Sequence, residues 1–191
     1  MVYLTDAVLN NVDLINANLT SAKLTGIELI YVDLINANLT GADLTNFNLT
    51  NVNLNGISGQ LSDASGITLP SGYIIADNFI VGAGVNLSGA MISGGFLSRI
   101  NLNSADLTNI NLTDARLYNV DLINANLTGA NLTGANLTHV DLTNANLTGA
   151  ILMSVSSQLS NASGITLPPG YIIANDHIVG PGAVPVSYTH L

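Results

Sequence analysis

A hydrophobic residue returns at every fifth position along most of this chain. Leucine stands at Leu4, Leu9, Leu14, Leu19, Leu24, Leu29, Leu34, Leu39, Leu44, Leu49 and Leu54 without a gap. A second ladder starts at Leu87, Ile92 and Leu97 and runs on through Leu102, Leu107, Leu112, Leu117, Leu122, Leu127, Leu132, Leu137, Leu142 and Leu147 to Leu152. Two residues before each comes a small or aliphatic side chain, as at Val12, Ala17, Ala22 and Val32, and Asn or Asp commonly sits between. A period of five fits neither the helical repeat of about 3.6 nor the strand alternation of 2. It predicts a short extended stretch with two inward residues, then a tight turn, repeated many times.

A longer period lies over the first. The segment VDLINANLT begins at Val12 and again at Val32, and near copies begin at Val120 and Val140, so faces recur every twenty residues. Four pentapeptides per coil follow, with neighbouring coils stacked at the β spacing of about 4.8 Å. One coil cannot bury its own leucines, so the core is the stack itself. Leu14, Leu34, Leu54, Leu102, Leu122, Leu132, Leu142 and Leu152 are predicted to belong to it. At roughly 1.5–3 kcal/mol per buried leucine, the stack needs few ion pairs.

The ladders are interrupted by a duplicated segment. Gln60 to Gly84 reads QLSDASGITLPSGYIIADNFIVGAG, and a near copy occupies Gln158 to Gly182, 98 residues on. Within it two β-branched or aromatic arms flank Asp77 and Asn78, residue types that tolerate positive φ, which predicts a hairpin. Its twin turns at Asn175 and Asp176. Leu54 and Leu87 are 33 residues apart, so the five-residue phase is lost across the insert, which is read as a cap closing one stack and opening the next. Ile80 and Val85 are expected to point inward, and Gly82, Gly84, Gly180 and Gly182 to turn tight corners. The organisation expected is therefore a first stack at 1–56, an insert at 57–86, a second stack at 87–154, a second insert at 155–185 and a tail at 186–191. The tail, VSYTHL, breaks the duplication and is read as non-native, and the chain as starting and stopping inside a module.

The A-[DN]-L-x-x pattern over about two-thirds of the chain resembles the pentapeptide-repeat family. The resemblance implies an all-β fold, a right-handed quadrilateral parallel β-helix, here carrying β-hairpin inserts.

Composition narrows the function. Net charge is −9 and Lys23, Arg99 and Arg116 are the only basic residues, which argues against direct binding of nucleic acid or an anionic membrane. Apolar residues come singly, so no stretch of about 20 could cross a bilayer as a helix, and with no signal peptide in view the compartment is cytoplasmic by default. Cysteine is absent, which removes disulfides and thiolate metal sites. The three histidines, His139, His177 and His190, share no metal-ligand spacing. No catalytic triad, nucleophile elbow or phosphate loop can be placed, and the calcium-binding nonapeptide is missing. No catalytic residue, cofactor or metal is expected; the N-L-T triplets follow from the repeat and are not read as glycosylation sites.

Three functions remain. The first is a stiff polar scaffold for a protein partner. The second is the acidic DNA mimicry by which some members of the family act on gyrase, for which Asp13 with Asp33 and Asp121 with Asp141 would be the stacked charges. The third is an ice- or surface-binding ladder of threonines, including Thr40, Thr45, Thr50, Thr128, Thr133, Thr138, Thr143 and Thr148. The hairpin tip, Asp77 and Asn78, adds a further candidate contact.

Overall fold

The computed structural model describes residues 8–26, 28–30 and 32–183. The beginnings of the first ladder, His190 and the 186–191 tail lie outside them. No helix occurs among the described residues. Eight strands of three residues each are present: β1 (Val8–Asn10), β2 (Glu28–Ile30), β3 (Ile74–Ala76), β4 (Phe79–Val81), β5 (Asn136–Thr138), β6 (Ser156–Gln158), β7 (Ile172–Ala174) and β8 (His177–Val179). β1 pairs with β2 and β5 with β6 in parallel, each twenty residues apart, whereas β3–β4 and β7–β8 are antiparallel hairpins.

Most of the sheet consists of single bridges, because the chain turns again before a longer strand can form. In the unit Ser88–Leu191 the bridges fall in four rows. Met91, Asn111, Asn131 and Ile151 form one row; Phe96, Arg116 and Asn136 lead into Ser156 in the next. Asn101, Asp121, Asp141 and Asn161 make the third, and Asp106, Asn126, Asn146 and Thr166 the fourth. In the unit Met1–Leu87 the rows begin at Asp13, Asn18, Lys23 and Asn48.

In the second unit the turn that sets the period is a left-handed residue two places after each central Leu or Ile. From Gly89 to Ser154 every fifth residue has φ between 56° and 70°, without exception. Glycine, Asn, Asp and Ser fill nearly all of these corners, the types that pay least for αL. Around each turn the hydrogen bonds run from one coil to the next. Leu122 N–H donates to Asp141 O at 2.8 Å and Asn124 N–H to Thr143 O at 2.9 Å, while Ala125 N–H closes the corner on Leu122 O at 3.0 Å.

Inside, the leucines stack as expected. Leu34, Leu54, Leu102, Leu122, Leu132, Leu142 and Leu152 are at most 2% exposed, with Ala and Val of the preceding inward position packed between them. Leu14 is only half-buried: it lies in the outermost described coil and has Leu34 against one side alone.

The duplicated segment behaves in two parts. Ser58, Asp63 and Thr68 still pair with Asn38, Asp43 and Asn48, so the chain is wall up to Thr68. The hairpin then leaves and the chain returns to the same row, where Asn86 pairs with Ser58 across 28 residues, while every other described parallel bridge spans twenty. Eight extra residues are thus looped out of one coil, and they account for the lost phase between Leu54 and Leu87. The hairpin turn has φ of 46° at Asp77 and 60° at Asn78, both positive as a two-residue turn requires. Ile80, Val81 and Val85 are buried. The glycines divide into two kinds. Gly84 and Gly182 are left-handed corners, with φ of 67° and 71°, whereas Gly82 and Gly180 are not. At those two positions a Cβ would fall inside the ring of Tyr73 or Tyr171, so glycine is needed for the close approach of an aromatic face.

Candidate binding surfaces

Outward polar residues of the wall are largely committed to its turns. Asp141 Oδ1 accepts from Thr143 N at 2.8 Å and from its hydroxyl at 2.5 Å, closing an Asx turn. Asp43 with Thr45, Asp106 with Thr108 and Asn146 with Thr148 repeat it. The hydroxyls of Thr40, Thr50, Thr128 and Thr133 are likewise donated to the Asn two places before. Thr138 contributes only its backbone N–H to Asn136. A threonine ladder is present, and apart from that of Thr138 its hydroxyls named here are donated to the neighbouring Asn or Asp side chain.

The acidic pairs meet as expected in position. Asp13 bridges Asp33, and Asp121 bridges Asp141. Each row is two carboxylates deep, since Asn53 follows Asp33 and Asn101 and Asn161 flank the second pair. Their engagement differs. Asp13 accepts from Ile15 N at 2.8 Å, while the N–H of Ile123 goes to Asn103 Oδ1 at 2.8 Å and leaves Asp121 out of the turn. A third pair, Asp43 with Asp63, follows Lys23 in its row and was not singled out from the sequence. The side chain and backbone N–H of Ser65 hold the Asp63 carboxyl below its usual pKa. A surface hollow of about 280 Å³ lies among Asn11, Val12, Asp13 and Asp33.

At the hairpin tip the carbonyls are spent on docking. Asp77 O accepts from Gln60 Nε2 at 2.9 Å and Asn78 O from Leu61 N at 2.8 Å, leaving both side chains exposed. Asp176 O receives Leu159 N at 2.7 Å in the second copy. The tip is therefore laid against its own coil.

His139 meets the ring of Tyr118 edge-on at 5.3 Å. Among the described residues no group of His, Asp or Glu is placed to hold a metal ion, and no helix is long and apolar enough to cross a membrane.

The family model for pentapeptide repeats matches residues 2–30, 27–57, 83–117 and 115–152, well over half of the chain. The chain belongs to the pentapeptide-repeat family. No curated protein sequence matches it. Solved pentapeptide-repeat structures do. HetL of the cyanobacterium Nostoc sp. strain PCC 7120, a protein involved in heterocyst differentiation regulation, is 28% identical over 86% of this chain and 63% of its own, with a TM-score of 0.28. Rfr23 of the cyanobacterium Cyanothece 51142 is 21% identical over 84% of this chain and 64% of its own, with a TM-score of 0.25. Full-length QnrB1, a plasmid-mediated fluoroquinolone resistance protein, is 14% identical over 86% and 74%, with a TM-score of 0.36. This pentapeptide-repeat chain thus spans less than two thirds of HetL and Rfr23.

Proposed function

We propose that the protein is a non-catalytic scaffold, a right-handed four-sided β-coil whose walls are read by a protein partner. One observation carries this reading: the interior is filled by Leu, Ile, Val, Ala and Phe47, and Ser157 is the single buried polar side chain among the described residues. Chemistry needs titratable groups brought together in a partly dry site. Here the described aspartates lie outside the core, and Asp13, Asp43, Asp63, Asp106 and Asp141 hold turns. What the fold offers instead is a regular surface on which departures from the repeat can be displayed at fixed spacing. On this reading the inserts close each stack, and the cytoplasm is the working compartment.

Photocrosslinking tests the proposal. Benzoylphenylalanine is placed singly at Thr113, Thr138, Thr143 and Thr148, one outward position on each of four sides, in the native cells. A discrete protein adduct from at least one side is expected. Four positions without any protein adduct would sink the scaffold reading.

A further inference from the structure

One side of the second unit departs from the Asn–Thr pattern. Phe96 and Arg116 are bridge partners in one row, and the Arg116 guanidinium carbon lies 4.4 Å from the centre of the Phe96 ring. Phe96 is 68% exposed and Tyr118, on the same side, 40%. Tyr118 in turn meets His139. Arg99 joins them through its backbone N–H, which donates to Tyr118 O at 3.0 Å.

The backbone points to the same place independently. Among all described left-handed residues, only Arg99 and His139 carry side chains other than those of Gly, Asn, Asp or Ser. They have φ of 61° and 58°, and with Asn119 between them they occupy one corner column, twenty residues apart. A long side chain such as that of Arg99 is costly in αL, and such residues collect where function holds them, whereas His enters αL more readily. Arg99 and Arg116, two of the chain's three Lys and Arg residues, thus fall with Phe96, Tyr118 and His139 on one side of one unit.

We propose that this side is a docking surface for an acidic, aromatic-bearing peptide segment of the partner, a reading that rests on the scaffold function and adds its partner chemistry. Stacking on Phe96 fixes the plane of the Arg116 guanidinium, and neither arginine forms an ion pair among the described residues. The edge N–H groups are open for a bidentate carboxylate. The nearest acid along the chain, Asp114, sits at the corner before Arg116 and repels the surplus charge of a polyanion. A nucleic acid, charged at every phosphate, would meet the net charge of −9 along its whole length. A peptide supplies one or two carboxylates locally and apolar side chains for Phe96 and Tyr118.

The probe is a fluorescein-labelled decapeptide of alternating Asp and Phe, measured by polarisation against the full chain. Its Asn/Phe counterpart and a labelled oligothymidylate of equal length serve as controls. Binding that falls at least tenfold in Arg116→Gln, and that the Asn/Phe peptide lacks, supports the surface. Equal binding of the two peptides, an unaffected Arg116→Gln variant, or oligothymidylate binding in preference overturns it. Arg99→Asn and His139→Asn add a readout that a structural role would move the other way: each should raise the melting temperature by about 2–4 °C while weakening the peptide. A lowered melting temperature removes the argument from strain. The scaffold reading fails separately. Crosslinks from Thr113, Thr143 or Thr148 but none from Thr138 sink this surface alone, and no crosslink anywhere sinks both.

Discussion

Ile178 donates its backbone N–H to the hydroxyl of Ser157, 2.9 Å away, and so fastens the second hairpin to its coil from inside. The corresponding residues of the first copy, 98 positions earlier, are Ile80 and Gly59, and no hydroxyl is available there. Ser157→Ala leaves a buried N–H without its acceptor and should cost about 1–3 kcal/mol. Gly59→Ser should not restore an equivalent bond but destabilise, because Gly59 has φ of 100° and a Cβ there would strike the backbone of Thr40. Urea unfolding of both variants checks the pair. A Ser157→Ala chain as stable as the parent shows the bond to be idle.

Leu132 is 1% exposed in the middle of its column. Replacing it with Asp forces a carboxylate into a dry stack, at a cost of at least about 4 kcal/mol. Circular dichroism melting should show a marked drop. A variant melting within about a degree of the parent would contradict an inward Leu ladder.

Gyrase should be indifferent to this protein. B-DNA presents one charge per roughly 1.7 Å of axis, whereas the acidic rows here stop after two carboxylates spaced at about 4.8 Å. Supercoiling assays at micromolar protein are expected to run at the uninhibited rate. Strong inhibition, relieved by Asp121→Asn with Asp141→Asn, would make the chain a DNA mimic instead.

The first hairpin should exchange slowly with deuterium. Its strands bond to each other, Leu61 N donates to Asn78 O at 2.8 Å and Asn86 N to Ile57 O at 2.9 Å. Protection from Ile74 to Val81 comparable with that of the wall is the expected pattern. Exchange at the unprotected rate would leave the segment a tether.

Tyr73 adds a pH dependence. Desolvation raises its phenol pKa, and the hydroxyl donates to Ala83 O at 2.9 Å. The folded state therefore disfavours the phenolate. Stability is untouched below the ordinary tyrosine value of about 10 and is lost as pH rises from there through the folded value. Absorbance at the tyrosinate band should lose its most alkaline step in Tyr73→Phe. An unchanged curve would place the ring in water.

The coil was legible because its cause is local. A Leu every fifth residue and Asn or Gly two places later state both the inward column and the left-handed corner, and Asp77 with Asn78 announced a hairpin in the same way. The insert's wall-like first half was harder to see. Ser58, Asp63 and Thr68 keep the twenty-residue pairing while Gly59 and Ala64 stand where leucines would be, so register survived where the hydrophobic mark did not. The basic and aromatic side was missed for another reason. Phe96, Arg116 with Tyr118, and His139 lie about twenty residues apart in sequence, and only folding by twenties puts them together. Its signal was available as the two bulky residues, Arg99 and His139, in a position otherwise reserved for small polar ones.

Because Asn86 finds Ser58 again after eight surplus residues, the wall keeps its place by rows and takes no account of how much chain is spent between them. That corner is a port. Chain leaves there and returns to the same row, so the exposed tip at Asp77 and Asn78 is open to variation while Ile80 and Val81, buried, and Gly82, pressed against Tyr73, are held. A foreign loop grafted at that tip inherits a rigid mount as long as Ile80 and Val81 keep their places in the core.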